Sequence, residues 1–150
     1  MKGNARRGGA HWCPVLGDGR VSAHPGVGLM AAHVFSTIIE EPGRFATKHK
    51  LWKYSQLGIT DCTSARKPLG YQRLDRRGNW ELKNLSYHAW RTACKSTTAP
   101  NVIKAFYQQS RERTGSVRHA RLNTQRKILE MMWSMWLRRR PFTPEKFAQQ

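Results

Sequence analysis

The chain has 150 residues, enough for one ordinary domain with a core of its own. Lys and Arg number 27 against 9 Asp and Glu, a formal charge of +18 that exceeds what solubility requires and points to a polyanionic partner. No run approaches the roughly 18–20 apolar residues of a membrane span, and Cys13, Cys62 and Cys94 form no C-x-x-C pair, which argues against a disulfide framework or a zinc knuckle.

Residues 1–23 carry five glycines and no helical or strand period, so a poorly ordered leader is expected there and the folded domain is expected over 24–147. The leader also lacks the apolar centre of a signal peptide, which makes the cytoplasm the expected location. From Leu29 the spacing Leu29, Ala32, Ser36, Ile39 predicts a first helix that stops at Glu41-Pro42-Gly43. Thr47 is placed to cap a second helix through Leu51 and Tyr54, ending near Gly58. Residues 58–77 show turn chemistry and basic residues without periodicity, and read as one long basic loop. A third helix is predicted from about Asn79 to Cys94 with Leu82, Leu85, Ala89 and Ala93 on one face. Pro100 suits the start of a fourth, carrying Val102, Ile103, Phe106 and Tyr107 before Gly115. The fifth and longest holds Val117, Ala120, Thr124, Ile128, Met131 and Met135 at helical spacing until Arg140-Pro141. The fold class expected is mainly α: a compact helical domain of about five helices.

Two features carry chemistry for nucleic acids. The segment His24-Pro25-Gly26-Val27-Gly28 feeds the first helix as a glycine turn whose backbone N–H groups can face a phosphate, similar to the hairpin of helix-hairpin-helix modules. An ordinary turn accounts for the same spacing. Further on, Arg66, Lys67, Tyr71, Arg73, Arg76 and Arg77 interleave cations with an aromatic ring, a pattern suited to phosphate contact and base stacking. Tyr71 is the stacking candidate, whereas Trp52, Trp90, Trp133 and Trp136 sit among apolar neighbours and are expected in the core. The nine acids show no cluster suited to two-metal phosphoryl transfer, and His11-x-Cys13 is a weak metal pattern, so no metal site is expected.

From His24 to about Phe142 the chain resembles the C-terminal domain of the insertion-sequence one-ten transposases, the bridge-RNA-guided DNA recombinases. The blocks that carry the resemblance are HPGVGLMAAHVFSTIIEEPGRF, KLWKYSQLGITD, SARKPLGYQRLDRRGNWELKNLSYHAW and ARLNTQRKILEMMWSMWLRRRPF, in that order. The resemblance implies a two-part enzyme: an N-terminal RuvC-like acidic domain that supplies the metal ligands, and a C-terminal domain that supplies a serine nucleophile. Ser64 corresponds to that serine, in the loop after Leu57-Gly58-Ile59-Thr60, and Arg66, Lys67 and Arg73 could stabilise charge on the transferred phosphoryl group. Relatives typically carry glycine just after the serine, where this chain has Ala65-Arg66. The acidic domain has no counterpart in the sequence, so a truncated element is expected, and magnesium is expected only with that missing domain.

Three readings of function follow. The chain is a transposase part that exchanges DNA strands when an acidic domain is supplied on another chain, or a catalytically inactive remnant that binds nucleic acid, or a basic RNA-associated protein of the ribosomal kind. DNA is the expected partner, with a guide RNA, a second copy or a full-length transposase as further ones. The apolar stripe Met132, Trp133, Met135, Trp136 is either a surface for such a chain or part of the core.

Overall fold

The computed structural model describes residues 26–64, 67–95 and 97–148. The expected leader, with His24 and the His11-x-Cys13 pattern, lies outside the described residues, as do Ala65 and Arg66. The architecture is mainly α, with one two-stranded antiparallel sheet inserted between the second and third helices.

Helix α1 (Leu29–Ile39) buries Ala32, Phe35 and Ile39. The stripe runs through Phe35, so Ser36 stands at its edge and Leu29 is left in solvent at the first turn. Pro42 follows, and a short 3-10 turn (Pro42–Arg44) leads to α2 (Lys48–Tyr54). There the Thr47 hydroxyl accepts the Lys50 N–H, one of the orphan donors of the first turn. Helix α3 (Trp80–Ala93) starts where Asn79 Oδ1 accepts the N–H groups of Glu81 and Leu82, and it buries the four apolar positions the spacing predicts.

Helix α4 (Val102–Thr114) is capped by Asn101 and closed by Gly115 at φ 63°, a left-handed position where glycine avoids the Cβ penalty. Ser116 then caps α5 (Val117–Arg138), the longest helix and the axis of the domain. It packs against α2, α3, α4 and the Pro42–Arg44 turn. Its buried face includes Ala120, Thr124, Ile128, Met131 and Met135 as expected, while Val117 is exposed at the first turn. Met132 and Trp136 are buried beside them, so the aromatic and methionine stripe completes the core rather than forming an open surface.

Indole N–H groups tie distant segments together. Trp133 Nε1 donates to the Pro42 carbonyl at 2.8 Å, and Trp52 Nε1 donates to the Arg126 carbonyl at 3.2 Å. Phe35, Leu51, Leu57, Leu82, Ile103, Ile128 and Leu129 are fully enclosed, each contributing roughly 1.5–3 kcal/mol by leaving water. A sixth helix, α6 (Pro144–Ala148), follows the Pro141 stop and seats Phe147 against Phe106 with ring centroids 5.5 Å apart. Its five residues are too few to show a helical period in sequence.

The long basic loop expected over 58–77 is instead a β-hairpin of β1 (Ile59–Ser64) and β2 (Lys67–Leu74). Ile59 pairs with Leu74, Thr60 with Arg73 and Asp61 with Gln72; the register then shifts, and Thr63 pairs with Pro68 and Ser64 with Lys67. Three residues of β2, Leu69-Gly70-Tyr71, therefore stand opposite Cys62 alone, with Gly70 at φ 73°. The irregular register interrupts the two-residue period, and Ile59, Leu69 and Tyr71 all face solvent. A strand without one buried face gives no alternation to read.

Candidate nucleic-acid interface

The hairpin is anchored at its base by backbone and amide contacts, not by a hydrophobic face. Arg126 of α5 donates from Nε and Nη2 to the Leu57 carbonyl, at 2.8 and 2.6 Å, while its guanidinium lies 5.4 Å from the Trp52 ring centroid. Burial lowers the pKa of this guanidinium, though not by enough to discharge an arginine. Next along the chain, Gly58 accepts the Asp75 N–H at 2.9 Å and passes so close to Lys53 that a Cβ there would press on the Lys53 backbone. Strand β1 thus leaves α2 along a fixed path.

The segment after β2 is held equally firmly. Asp75 is 3% exposed, and its Oδ1 accepts the Arg77 N–H at 2.9 Å, closing an Asx turn over Asp75-Arg76-Arg77. That N–H holds the Asp75 carboxyl below the usual carboxylate range, with the Arg77 charge adding to the effect and burial opposing it. Gln56 Nε2 donates to the carbonyls of Arg76 and Gly78, at 2.8 and 3.2 Å, and the Asn79 N–H donates to the Tyr54 carbonyl at 2.6 Å. Gly78 has φ 120°, and a Cβ on it would overlap the Tyr54 carbonyl.

On this frame the basic residues face outward. Lys67, Tyr71, Arg73, Arg76 and Arg77 are all exposed, Tyr71 at 59%. Arg77 Nε lies 3.5 Å from Asp75 Oδ1, but that side chain is 86% exposed, so the pair is screened and adds little to stability. Among the described residues no carboxylate pairs with Lys67, Arg73 or Arg76. A groove of about 490 Å³ runs along the surface, walled by Thr60, Thr63, Arg73, Arg76 and Arg77. Guanidinium forks and threonine hydroxyls suit phosphate oxygens.

The acids beside this groove do not fit a two-ion magnesium centre. Asp61 and Asp75 line it, but Asp61 Oδ1 accepts from Gln72 Nε2 at 2.8 Å and Asp75 Oδ1 from Arg77. Among the described residues no group of three or more His, Cys, Asp or Glu is placed to hold a metal ion. Chemistry of that kind needs several carboxylates converging on ions about 4 Å apart.

The remaining sequence-predicted residues fall in two places. Ser64 ends β1 with its backbone opposite Lys67, so both stand at the hairpin tip, at the opposite end from the Thr60–Arg73 and Ile59–Leu74 pairs. Gly26 and Gly28 lie away from the hairpin, ahead of α1. Gly26 has φ 83° and is pressed so close to α3 that a Cβ would run into the Ala89 carbonyl, so packing alone requires glycine there. Gly28 has open space around it. The sequence carries no signal for Asp75 or Gln56: their importance comes from bonds to the Arg77 N–H and to the Arg76 and Gly78 carbonyls, which no spacing rule announces.

No match emerges among curated proteins. Among the described residues no helix is long and apolar enough to cross a membrane. A family model described as the Transposase IS116/IS110/IS902 family matches residues 18–108, about three-fifths of the chain, spanning α1, the hairpin and α3 and leaving α5 outside. With that match, the chain belongs to the IS116/IS110/IS902 transposase family, and its role is in transposition.

Proposed function

We propose that the chain is the DNA-gripping, serine-bearing part of a transposase, with the hairpin and its Asx turn lying along the phosphate backbone. The observation that carries this reading is a set of exposed cations, Lys67 and Arg73 on the hairpin and Arg76 and Arg77 on the Asx turn after it, on a frame pinned to α2 and α5. A rigid mount lets each cation meet a phosphate without a large ordering cost. Tyr71 stands among them as a stacking surface. Of the two glycines ahead of α1, Gly28 has the room for a further phosphate contact.

Ser64 is the nucleophile in this reading. Its oxygen forms a bond to a DNA phosphorus as the phosphorus breaks its bond to one neighbouring deoxyribose oxygen. Ser64 gives up its hydroxyl proton, the released deoxyribose oxygen takes one up to become a hydroxyl, and the serine phosphodiester keeps the energy of the broken bond for rejoining. Lys67, opposite Ser64, and Arg73 two pairs beyond the register shift would offset charge on the phosphoryl oxygens, with Arg66 as a third cation. Magnesium enters this reading only with the acidic domain on another chain, whose carboxylates would hold it. A guide RNA, an acidic domain and a second transposase chain are the further partners of this reading, and the cytoplasm is its location.

Binding of purified protein to duplex DNA across a salt series tests the grip. Four phosphate contacts predict a log–log slope of about −3.6, and Arg73→Ala or Arg76→Ala should each make it shallower by about 0.9. A flat response overturns the reading. For the chemistry, Ser64→Ala should abolish strand exchange in a reaction supplied with an acidic domain while leaving binding intact; unchanged exchange removes Ser64 from the mechanism.

A further inference from the structure

A second cleft, of about 500 Å³, opens between α3 and α5. Helix α3 lines it with Trp80, Lys83, Asn84 and Tyr87, and α5 contributes Arg121 and Gln125. Gln56 completes the lining, and through its bonds to the Arg76 and Gly78 carbonyls it joins this cleft directly to the basic turn.

The polar groups here are unusual for a helix–helix seam. Gln125 is only 5% exposed, on the buried face of α5 between Thr124 and Ile128, and its carboxamide bonds to no described group. Because Gln125 lines the cleft, its amide donor and acceptor stand on the cleft wall, where an incoming acceptor and donor would be matched. Asn84, exposed on the same wall, offers a second carboxamide.

The aromatic groups are equally specific. Trp80, the first residue of α3, is 63% exposed, so core packing does not account for it. Tyr87 is fixed by Trp90, with ring centroids 5.6 Å apart, and by Arg121, whose guanidinium sits 5.7 Å from the Tyr87 centroid and 5.8 Å from that of Trp90. The volume lies within the range of about 300–1,000 Å³ typical of small-ligand sites.

Flat aromatic faces, two free carboxamides and flanking cations together match one chemistry: a planar heterocycle with donors and acceptors on its edge, attached to a phosphate. An apolar peptide helix would leave Gln125 unmatched and gain nothing from Lys83. We propose that this cleft holds one unpaired nucleobase, stacked on Trp80 and read at its edge by Asn84 and Gln125, while Lys83 contacts the adjoining phosphate. The inference rests on the nucleic-acid-binding reading above and adds to it the state of the strand: single-stranded DNA, RNA, or a duplex with a base extruded.

The test measures binding of the full chain, by fluorescence anisotropy, to mixed-sequence single-stranded DNA, the matching RNA, an intact duplex and a duplex with one bulged base. Trp80→Ala and Asn84→Ala are chosen because both side chains are exposed and the fold does not depend on them. Trp80→Ala should weaken binding of the single strands and the bulged duplex by about five- to a hundredfold, the effect of one lost stack. The intact duplex should keep its affinity and salt slope, and Asn84→Ala should alter the order of preference among bulged bases. A larger loss on RNA than on DNA would identify RNA as the source of the base, and the reverse would identify DNA. If wild-type protein binds nucleic acid and both variants match it on every probe, the cleft is not a base site, although the backbone grip survives. Failure of wild-type protein to bind any probe overturns both.

Discussion

Replacing Gly78 with alanine tests how the basic turn is held, and Gly70→Ala supplies the comparison. Both glycines have positive φ, but a Cβ on Gly70 meets open space, whereas one on Gly78 meets the Tyr54 carbonyl that accepts the Asn79 N–H. At Gly70 the left-handed conformation costs alanine about 1–2 kcal/mol, offset by about 0.4–1 kcal/mol from the stiffer unfolded chain, so the net loss is on the order of 1 kcal/mol or less. At Gly78 the φ of 120° lies further from the left-handed minimum, and the overlap displaces the Asn79 bond and the Gln56 bond to the Gly78 carbonyl. Two weakened hydrogen bonds, at about 0.5–1.5 kcal/mol each, bring the loss to about 3 kcal/mol. At about 2–4 °C per kcal/mol for a chain of this size, Tm should fall by about 6–12 °C for Gly78→Ala and by only a few degrees for Gly70→Ala. Thermal unfolding followed by far-UV circular dichroism reads both, and DNA affinity should drop with Gly78→Ala even well below its Tm. Equal Tm values for the two variants would refute the reasoning that Tyr54 and Gln56 pin this turn.

The Asp75 carboxyl is held below its usual range, so its ionised form is favoured by the fold; that contribution is complete above the ordinary carboxylate pKa of about 3.9 and is lost as pH falls below it. Asp75→Asn should therefore flatten the acid-side decline of Tm, and parallel Tm–pH curves for the two proteins would contradict the role given to the Arg77 N–H. Burial pushes the Cys94 thiol up to about 11, only partly opposed by the Lys104 charge. Alkylation of Cys94 at pH 8, followed by peptide mass analysis, should accordingly be on the order of a hundredfold slower than that of a free cysteine of pKa about 8.5, and a rate equal to the free amino acid would place the thiol in solvent.

Much of the helical frame was legible because its signals are local. Thr47, Asn79, Gly115 and Pro141 mark ends by capping, by left-handed backbone or by a missing N–H, and Leu82, Leu85, Ala89 and Ala93 repeat at helical spacing against a polar opposite face. The hairpin was not legible: its strands bury little besides Cys62, and the register shift after Asp61 breaks what alternation remains. The basic residues of the candidate interface, Lys67, Arg73, Arg76 and Arg77, stand out in the sequence as a local excess of cations. Their mount does not, because it depends on Arg126 reaching Leu57 across 69 residues and on Gln56 reaching Gly78 across 22. Gln125 gave a faint sign, a polar residue beside Thr124 in an otherwise buried run, but its neighbours across the cleft come from α3 and from the segment after α2.

The central claim, that DNA lies along the hairpin, is tested most directly by crosslinking from a photoreactive benzoylphenylalanine placed at Tyr71, with the same group at Glu112 on α4 as the comparison. Irradiation with labelled DNA should attach the strand at position 71 and leave position 112 unmodified. Bound DNA that crosslinks at 112 and not at 71 would place the nucleic-acid surface elsewhere and contradict the account.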